Sequence, residues 1–590
     1  MNYIENGTSF VVTLLLCHSF LFGNIISGND TTGGKIKHLE EQLFNHLKEE
    51  YPGAFIIEGQ YPNRQSYTLS NFKRRRDLNK ELLAEINKID LKILNKEQRI
   101  DLQILKDFVK TFVKGYRWIM YGALTPLNSL EGISTRYLEQ IPVQIYEKIS
   151  LMRKAIKLQR TNYRSSMENV IDRLQQDIDI QLSPFLSQTN SSYDFNLYTD
   201  KSILRQIQMA YEAFVELKSF LINEYLPATR SKPGVHSMRN GVGYYKACLR
   251  YHTTLDITPD EAHVTGLDEV ERISKEINKI KKRLHFPGDI PSFLTHIQYY
   301  TTITTAQQIQ SVEHLLLAIN DTVLQDVFYK IVKPEVTLFP VEDKTDLSLG
   351  SYRGNVFYMN TNPAINRTSL WTIPLVLHEA NPGHHFQSSY SHQQKQAKYR
   401  QNIIFTGYYT VPFNYPMYTG YIEGWALYAE YLGEEMGLYP SIYNKLGRHL
   451  SDMLRACRLV VDTGIHAFGW SREQGIEYIH NYTGNDMLQS ENEVDAIITW
   501  PGRACAYKIG EMKIMQLRRK AERMLGPIFD LKKFHDIILR KGPVSLRILE
   551  DIVQEWIDDV GHSNASNGIW TITSCTCSLC FNIVMLLIVI

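Results

Sequence analysis

His378-Glu-Ala-Asn-Pro-Gly-His-His-Phe-Gln387 is the stretch on which the reading of this chain turns. A His-Glu-x-x-His helix places two histidines one turn apart on one face, where they bind zinc, and its glutamate activates water on the metal. Here His378 and Glu379 stand as in that pattern, but the next histidines are His384 and His385. At 3.6 residues per turn, position i+6 points to the far side of an ideal helix, and i+7 returns to the first face about 10 Å along the axis. A shared metal therefore requires a distorted helix. Pro382 has no backbone N–H and clashes with the preceding turn. Gly383 accepts backbone angles that other residues avoid. The pair can loop out about two residues as a bulge. His384 then takes the place of the second ligand with His385 beside it, and His385 as the ligand is the alternative.

The run before the motif, Leu370-Trp-Thr-Ile-Pro-Leu-Val-Leu377, is strongly apolar. It leads His378 and Glu379 into a buried environment, where a glutamate beside histidines is costly unless it is used. The competing reading is that Pro-Gly ends a helix and leaves surface histidines.

A catalytic zinc takes three protein ligands and keeps one position open. The third ligand is expected from another helix. Glu423 opens Glu423-Gly-Trp-Ala-Leu-Tyr-Ala-Glu430, a helical run in which Gly424 allows another helix to approach closely. Glu430 lies on nearly the same face two turns on and can orient a histidine ligand. Against this, both glutamates could simply be solvated. Glu379 is the expected general base. An oxyanion needs donors besides the metal. The candidates are His466, Arg503 and Tyr507, the last two sharing a face of a helix that starts near Pro501. Arg503 could instead bind a substrate carboxylate. The plain alternatives are a packed tyrosine and a satisfied core histidine.

These segments resemble a known family. His378–Gln387 resembles the HEAxPGHHxQ signature of the domain-of-unknown-function 885 family. Tyr244-Tyr-Lys-Ala-Cys-Leu-Arg-Tyr-His-Thr-Thr254, followed by Thr258-Pro-Asp-Glu-Ala-His263, is similar to that family's central segment. Glu423–Glu430 resembles its second motif, and Pro501-Gly-Arg-Ala-Cys-Ala-Tyr-Lys-Ile-Gly510 its third, where the family commonly has Gln in place of Arg503. The resemblance spans roughly residues 40–560. It implies a mostly α-helical protein with zinc-metallopeptidase chemistry.

Composition sets the bounds. The chain has 590 residues, 44% hydrophobic and 22% charged, enough for a large core and two lobes. A formal net charge of +1 gives no electrostatic case for nucleic acid. Seven cysteines are too few for a disulfide scaffold, and a Cys457–Cys505 pair is the one bridge suggested. Phe10 to Phe22 reads as a secretory signal within residues 1–28. Ile569 to Ile590 carries no charge and follows the small-residue run Ser563-Asn-Ala-Ser-Asn-Gly568. That suits a glycolipid-anchor signal, with a membrane-spanning helix as the alternative. Glycan acceptor sites occur at Asn29, Asn190, Asn320, Asn366 and Asn481.

Apolar spacings of three and four predict helices over Ile36–Tyr51, Leu78–Ile93, Gln98–Trp118, Pro142–Ile180 and Ser202–Leu226. Thr258-Pro-Asp-Glu261 is a capping-box start for a helix running to Leu284. Val336–Phe339 and Asn355–Asn360 are strand candidates, and a strand beside a zinc helix can offer its free edge to an extended peptide or merely cap the core. The expected fold is mainly α: a two-lobed helical metallopeptidase-like fold with a small β-sheet beside the active-site cleft. It divides into a helical region at 29–330, a zinc-binding catalytic region at 331–560 and a hydrophobic tail at 561–590. The expected function is zinc-dependent peptide hydrolysis at the cell surface or in the secretory pathway, with membrane attachment through the tail. The alternatives are a zinc hydrolase of non-peptide amides or esters, and an inactive surface binding protein.

Overall fold

In the computed structural model the described residues are 32–50, 68–128, 132–133, 138–177, 201–319, 322–342, 348–401 and 408–566. The proposed signal, the uncharged tail from 569 onward, and Asn29, Asn190 and Asn320 lie outside them.

The chain is mainly helical. The first helices are α1 (Thr32–Glu50), α2 (Leu69–Ile86), α3 (Lys96–Gly115), α4 (Ile141–Leu158), α5 (Arg164–Asp177) and α6 (Lys201–Phe220). The expected single helix over 142–180 is two, because Gln159 takes a left-handed conformation (φ 53°) that ends α4. Then come α7 (Gly241–Thr253), α8 (Pro259–Arg283), α9 (Ile290–Thr301), α10 (Thr305–Ile319) and α11 (Thr322–Val327). Helix α8 starts as its sequence predicts: the Thr258 side chain accepts from Glu261 N–H and Glu261 reaches back to the Thr258 N–H.

A three-stranded sheet follows, with β1 (Thr337–Val341), β2 (Gly350–Arg353) and β3 (Val356–Asn360) in the order β1-β3-β2. Strand β1 is parallel to β3, and β2 is antiparallel to it. Strand β2 was not anticipated. Gly354 (φ 59°) and Asn355 (φ 67°) are both left-handed, as a two-residue hairpin turn between twisted strands requires.

The remainder is helical: α12 (Thr372–Glu379), α13 (His384–His392), α14 (Thr419–Glu435), α15 (Ile442–His466), α16 (Arg472–Thr483), α17 (Met487–Thr499), α18 (Cys505–Leu525), α19 (Leu531–Leu539) and α20 (Leu546–Ser566). No described helix is long and apolar enough to cross a membrane.

One hydrophobic cluster spans the expected boundary at residue 330: Leu43, Leu105 and Phe112 pack with Phe386, Trp425, Phe534 and Trp556. A second joins α8, α15, α16 and α17 through Ile273, Leu450, Val460, Ile479 and Ile497. A third belongs to α4–α6 and includes Ile145, Met152, Phe214 and Leu217. Cys457 and Cys505 are buried free thiols, so the suggested bridge does not form. Asn366 is exposed and Asn481 half-buried.

Helices α14 and α18 cross at glycines. A β-carbon on Gly424 would lie 2.4 Å from the Gly510 carbonyl carbon, and one on Gly510 would lie 1.9 Å from the Gly420 oxygen. Only hydrogen fits at either position, so the backbone of α14, which carries Glu423 and Glu430, is pressed onto α18.

Candidate metal centre

The histidine motif is not one bulged helix. Helix α12 stops at Glu379, and Ala380 leaves helical space (φ −104°, ψ −117°). A second helix begins at His384. The turn between them is tight, since a β-carbon on Gly383 would lie 2.0 Å from the His378 carbonyl oxygen. The Trp425 indole N–H donates to the Pro382 carbonyl at 2.8 Å, which ties this turn to α14. Breaking the helix, rather than swelling it, swings His384 back towards His378; their ring centroids are 4.8 Å apart, edge to face.

His378, His384 and Glu423 form the one cluster of metal-donor type found among the described residues, with donor atoms within 4.8 Å of one another. Glu423 Oε2 lies 3.5 Å from His378 Nε2 and 3.4 Å from His384 Nε2. Tetrahedral zinc with bonds near 2.0–2.2 Å sets its donors about 3.4 Å apart. Both glutamate–histidine separations match that spacing, and two imidazole nitrogens with one carboxylate oxygen are a donor set of the kind zinc takes.

The surroundings orient the donors. Glu430 Oε1 lies 2.8 Å from His378 Nδ1 and accepts its N–H, which leaves Nε2 turned towards Glu423. Arg455 Nη2 lies 3.3 Å from the same Glu430 oxygen. Burial opposes charge on His378, but its hydrogen bonds with Glu423 and Glu430 outweigh this and push the imidazole up to about 9. Burial likewise opposes charge on Glu423, yet both histidines hold its carboxyl well below the ordinary range. A metal bound by these three groups would therefore have to displace protons from them.

Glu379 lines a cavity of about 200 Å³ with His378, Gly350, Arg455, Arg458 and Tyr507. Burial pushes its carboxyl up, against the pull of His378 and His384. His385 points elsewhere: its Nε2–H donates to the Pro334 carbonyl at 3.1 Å and its ring meets Tyr352. Arg503 Nη2 approaches Glu423 Oε1 at 3.5 Å. The guanidinium groups of Arg458 and Arg503 lie over the Tyr507 ring, 4.8 and 5.6 Å from its centroid. His466 is not brought to the cluster. The Val235 N–H donates to its Nδ1, its Nε2–H donates to the Ile497 carbonyl, and the ring is fully buried. No nitrogen of His466 is left for an oxyanion.

Arg455 and Arg458 were missed in the sequence. Ser451, Arg455 and Arg458 follow the i, i+4, i+7 rhythm of a single face of α15, and that was the available signal.

A family model described as "Bacterial protein of unknown function (DUF885)" matches residues 58–553. The fold is similar to a crystal structure described as "the putative lipoprotein from Colwellia psychrerythraea", with TM-score 0.75, 22% identity and coverage of 90% of this chain and 100% of that one. It is also similar to "a putative lipoprotein of unknown function from Shewanella oneidensis", with TM-score 0.65, 15% identity and coverage of 88% and 99%. No curated protein matches the chain.

Proposed function

This chain belongs to the DUF885 family, and on that premise we propose that it is a zinc-dependent peptide hydrolase. The observation that carries the reading is the convergence of His378, His384 and Glu423, with donor atoms within 4.8 Å of one another, one residue from a buried glutamate that faces a cavity. Zinc, when bound, supplies the Lewis acidity that activates water and polarises a carbonyl. Glu379 is the general base: it accepts the proton of the attacking water and returns it to the leaving amine. Glu430 and Arg455 hold the His378 ring in its working tautomer. Tyr507, at the wall of the cavity, and Arg503, beside Glu423, are the donors for developing negative charge on the carbonyl oxygen. His466 has no part in this scheme.

We place the hydrolase on the outer face of a membrane, held there by the uncharged run at 569–590. The description of both structural relatives supports membrane attachment, not its chemistry.

The test is metal analysis of the purified protein together with digestion of a peptide library. About one zinc per chain is expected for a two-histidine, one-carboxylate site. Glu379→Gln is expected to keep the zinc and lose at least about 100-fold in turnover. Hydrolysis by zinc-free protein, or a Glu379→Gln variant at the parent rate, would overturn the reading.

A further inference from the structure

We propose that the outer edge of β2 binds the substrate's main chain, so that the substrate is an extended peptide of at least about four residues rather than a small amide or ester. The proposal rests on the hydrolase reading above.

The sheet order β1-β3-β2 leaves one edge of β2 unpaired among the described residues. Which groups project from it follows from the register. Gly350 stands opposite Met359, Ser351 opposite Tyr358, Tyr352 opposite Phe357 and Arg353 opposite Val356. The Asn360 N–H donates to the Leu349 carbonyl at 3.0 Å, so Leu349 is a position whose polar groups face β3. In an antiparallel pair such positions alternate. Ser351 and Arg353 therefore also face β3, while Gly350 and Tyr352 turn their N–H and C=O outward.

One of the outward positions, Gly350, lies where the chemistry is. Ser348, Leu349 and Gly350 line the same cavity as His378 and Glu379. Gly350 cannot carry a side chain, since a β-carbon would lie 2.7 Å from Phe357 Cε2 and 2.8 Å from the Tyr358 oxygen. Its bare backbone is what the cavity meets. Ser351 and Arg353 are exposed, and the outward positions Gly350 and Tyr352 are half-buried. An unpaired edge is a template for another strand. Gly350 and Tyr352 are two residues apart, about 7 Å along a strand. A peptide laid on them exchanges bonds with both through alternate residues and passes Glu379 in a fully extended form. A small ester or amide has no main chain with which to make this ladder.

The ladder has a period of two, and the experiment reads that period. A peptide cleaved at a single bond by the zinc-loaded protein is remade with one N-methyl group at each backbone nitrogen in turn, the scissile amide excepted. Methylation at nitrogens two residues apart is expected to raise KM about tenfold each, and methylation between them to leave it unchanged. Tyr352→Pro removes one outward N–H without touching the β3 ladder, as proline is tolerated at an outward edge position. It is expected to raise KM for the peptide about tenfold at unchanged zinc content. A scan without alternation, or a Tyr352→Pro variant with the parent KM, overturns the edge proposal and leaves the hydrolase reading standing. Hydrolysis of small amides or esters with no cleavage of any peptide overturns both.

Discussion

Replacing Gly510 with alanine tests the packing on which the metal centre depends. The added methyl group would lie 1.9 Å from the Gly420 oxygen and 2.9 Å from Gly424 Cα, and both belong to the backbone of α14. A carbon–oxygen contact relaxes only near about 3.2 Å, so the two helices must separate by ~1.3 Å. Backbone cannot step aside as a side-chain tip can. The loss is therefore placed at the upper end of the overpacking range, about 3 kcal/mol. Glu423 rides on α14, while His378 and His384 lie on other elements. Zinc bonds tolerate about 0.2 Å, so a shift of that size should weaken zinc binding by at least about tenfold. Denaturant unfolding of the metal-free protein reads the packing loss alone, and competition with a chelating dye reads the affinity. Gly561→Ala on α20 is the control: nothing lies within 4 Å of the added carbon, and helix preference should stabilise it by about 0.5–1 kcal/mol. A Gly510→Ala protein that unfolds at the parent's midpoint and holds zinc as tightly would refute the argument that glycine contact sets the position of Glu423.

Two further outcomes follow from the same geometry. His384→Ala should abolish zinc binding and His385→Ala should preserve it, because the His385 ring is committed to the Pro334 carbonyl; metal content with the opposite pattern would reverse the assignment. His466 should contribute to acid lability. Burial lowers its pKa from 6.5 to about 3, so between those values the unfolded chain holds one more proton than the folded one. Its share of stability is complete above the unfolded value and is lost as pH falls, at about 1.4 kcal/mol per pH unit. His466→Gln, measured by unfolding between pH 4.5 and 6, should lower the slope of stability against pH by about one proton, and an unchanged slope would mean that the ring is not buried neutral.

The sequence was most informative where local rules act alone. The apolar rhythm of α3 and the capping box before α8 are set by neighbours three and four residues apart, and both helices lie where those patterns put them. Strand β2 was missed although Gly354-Asn355 is a hairpin signal, because four residues alternating between half-buried and exposed leave almost no hydrophobic pattern to read. His466 attracted attention by residue type alone. Its partners, Val235 and Ile497, lie 231 and 31 residues away, and no local pattern announces them.

At the centre, the chain by itself supplied the kinds of donor: two histidines and a glutamate, with a second glutamate next to the first histidine. It also marked Pro382-Gly383 as the place where a regular helix must fail, since a missing N–H and a missing side chain are properties of residues and need no fold to act. How the helix fails was decided by tertiary structure. A bulge and a full break are both open to that dipeptide. The Trp425 indole, 43 residues away, captures the Pro382 carbonyl, and α14 is held against α18 at Gly424 and Gly510. Those contacts choose the break and face His384 rather than His385 towards Glu423. The same holds for Arg455, which reaches Glu430 only because α14 and α15 are neighbours. Donor identity is carried by single residues, whereas convergence within 4.8 Å needs three separate elements held by close backbone packing, and packing is a property of the assembled chain.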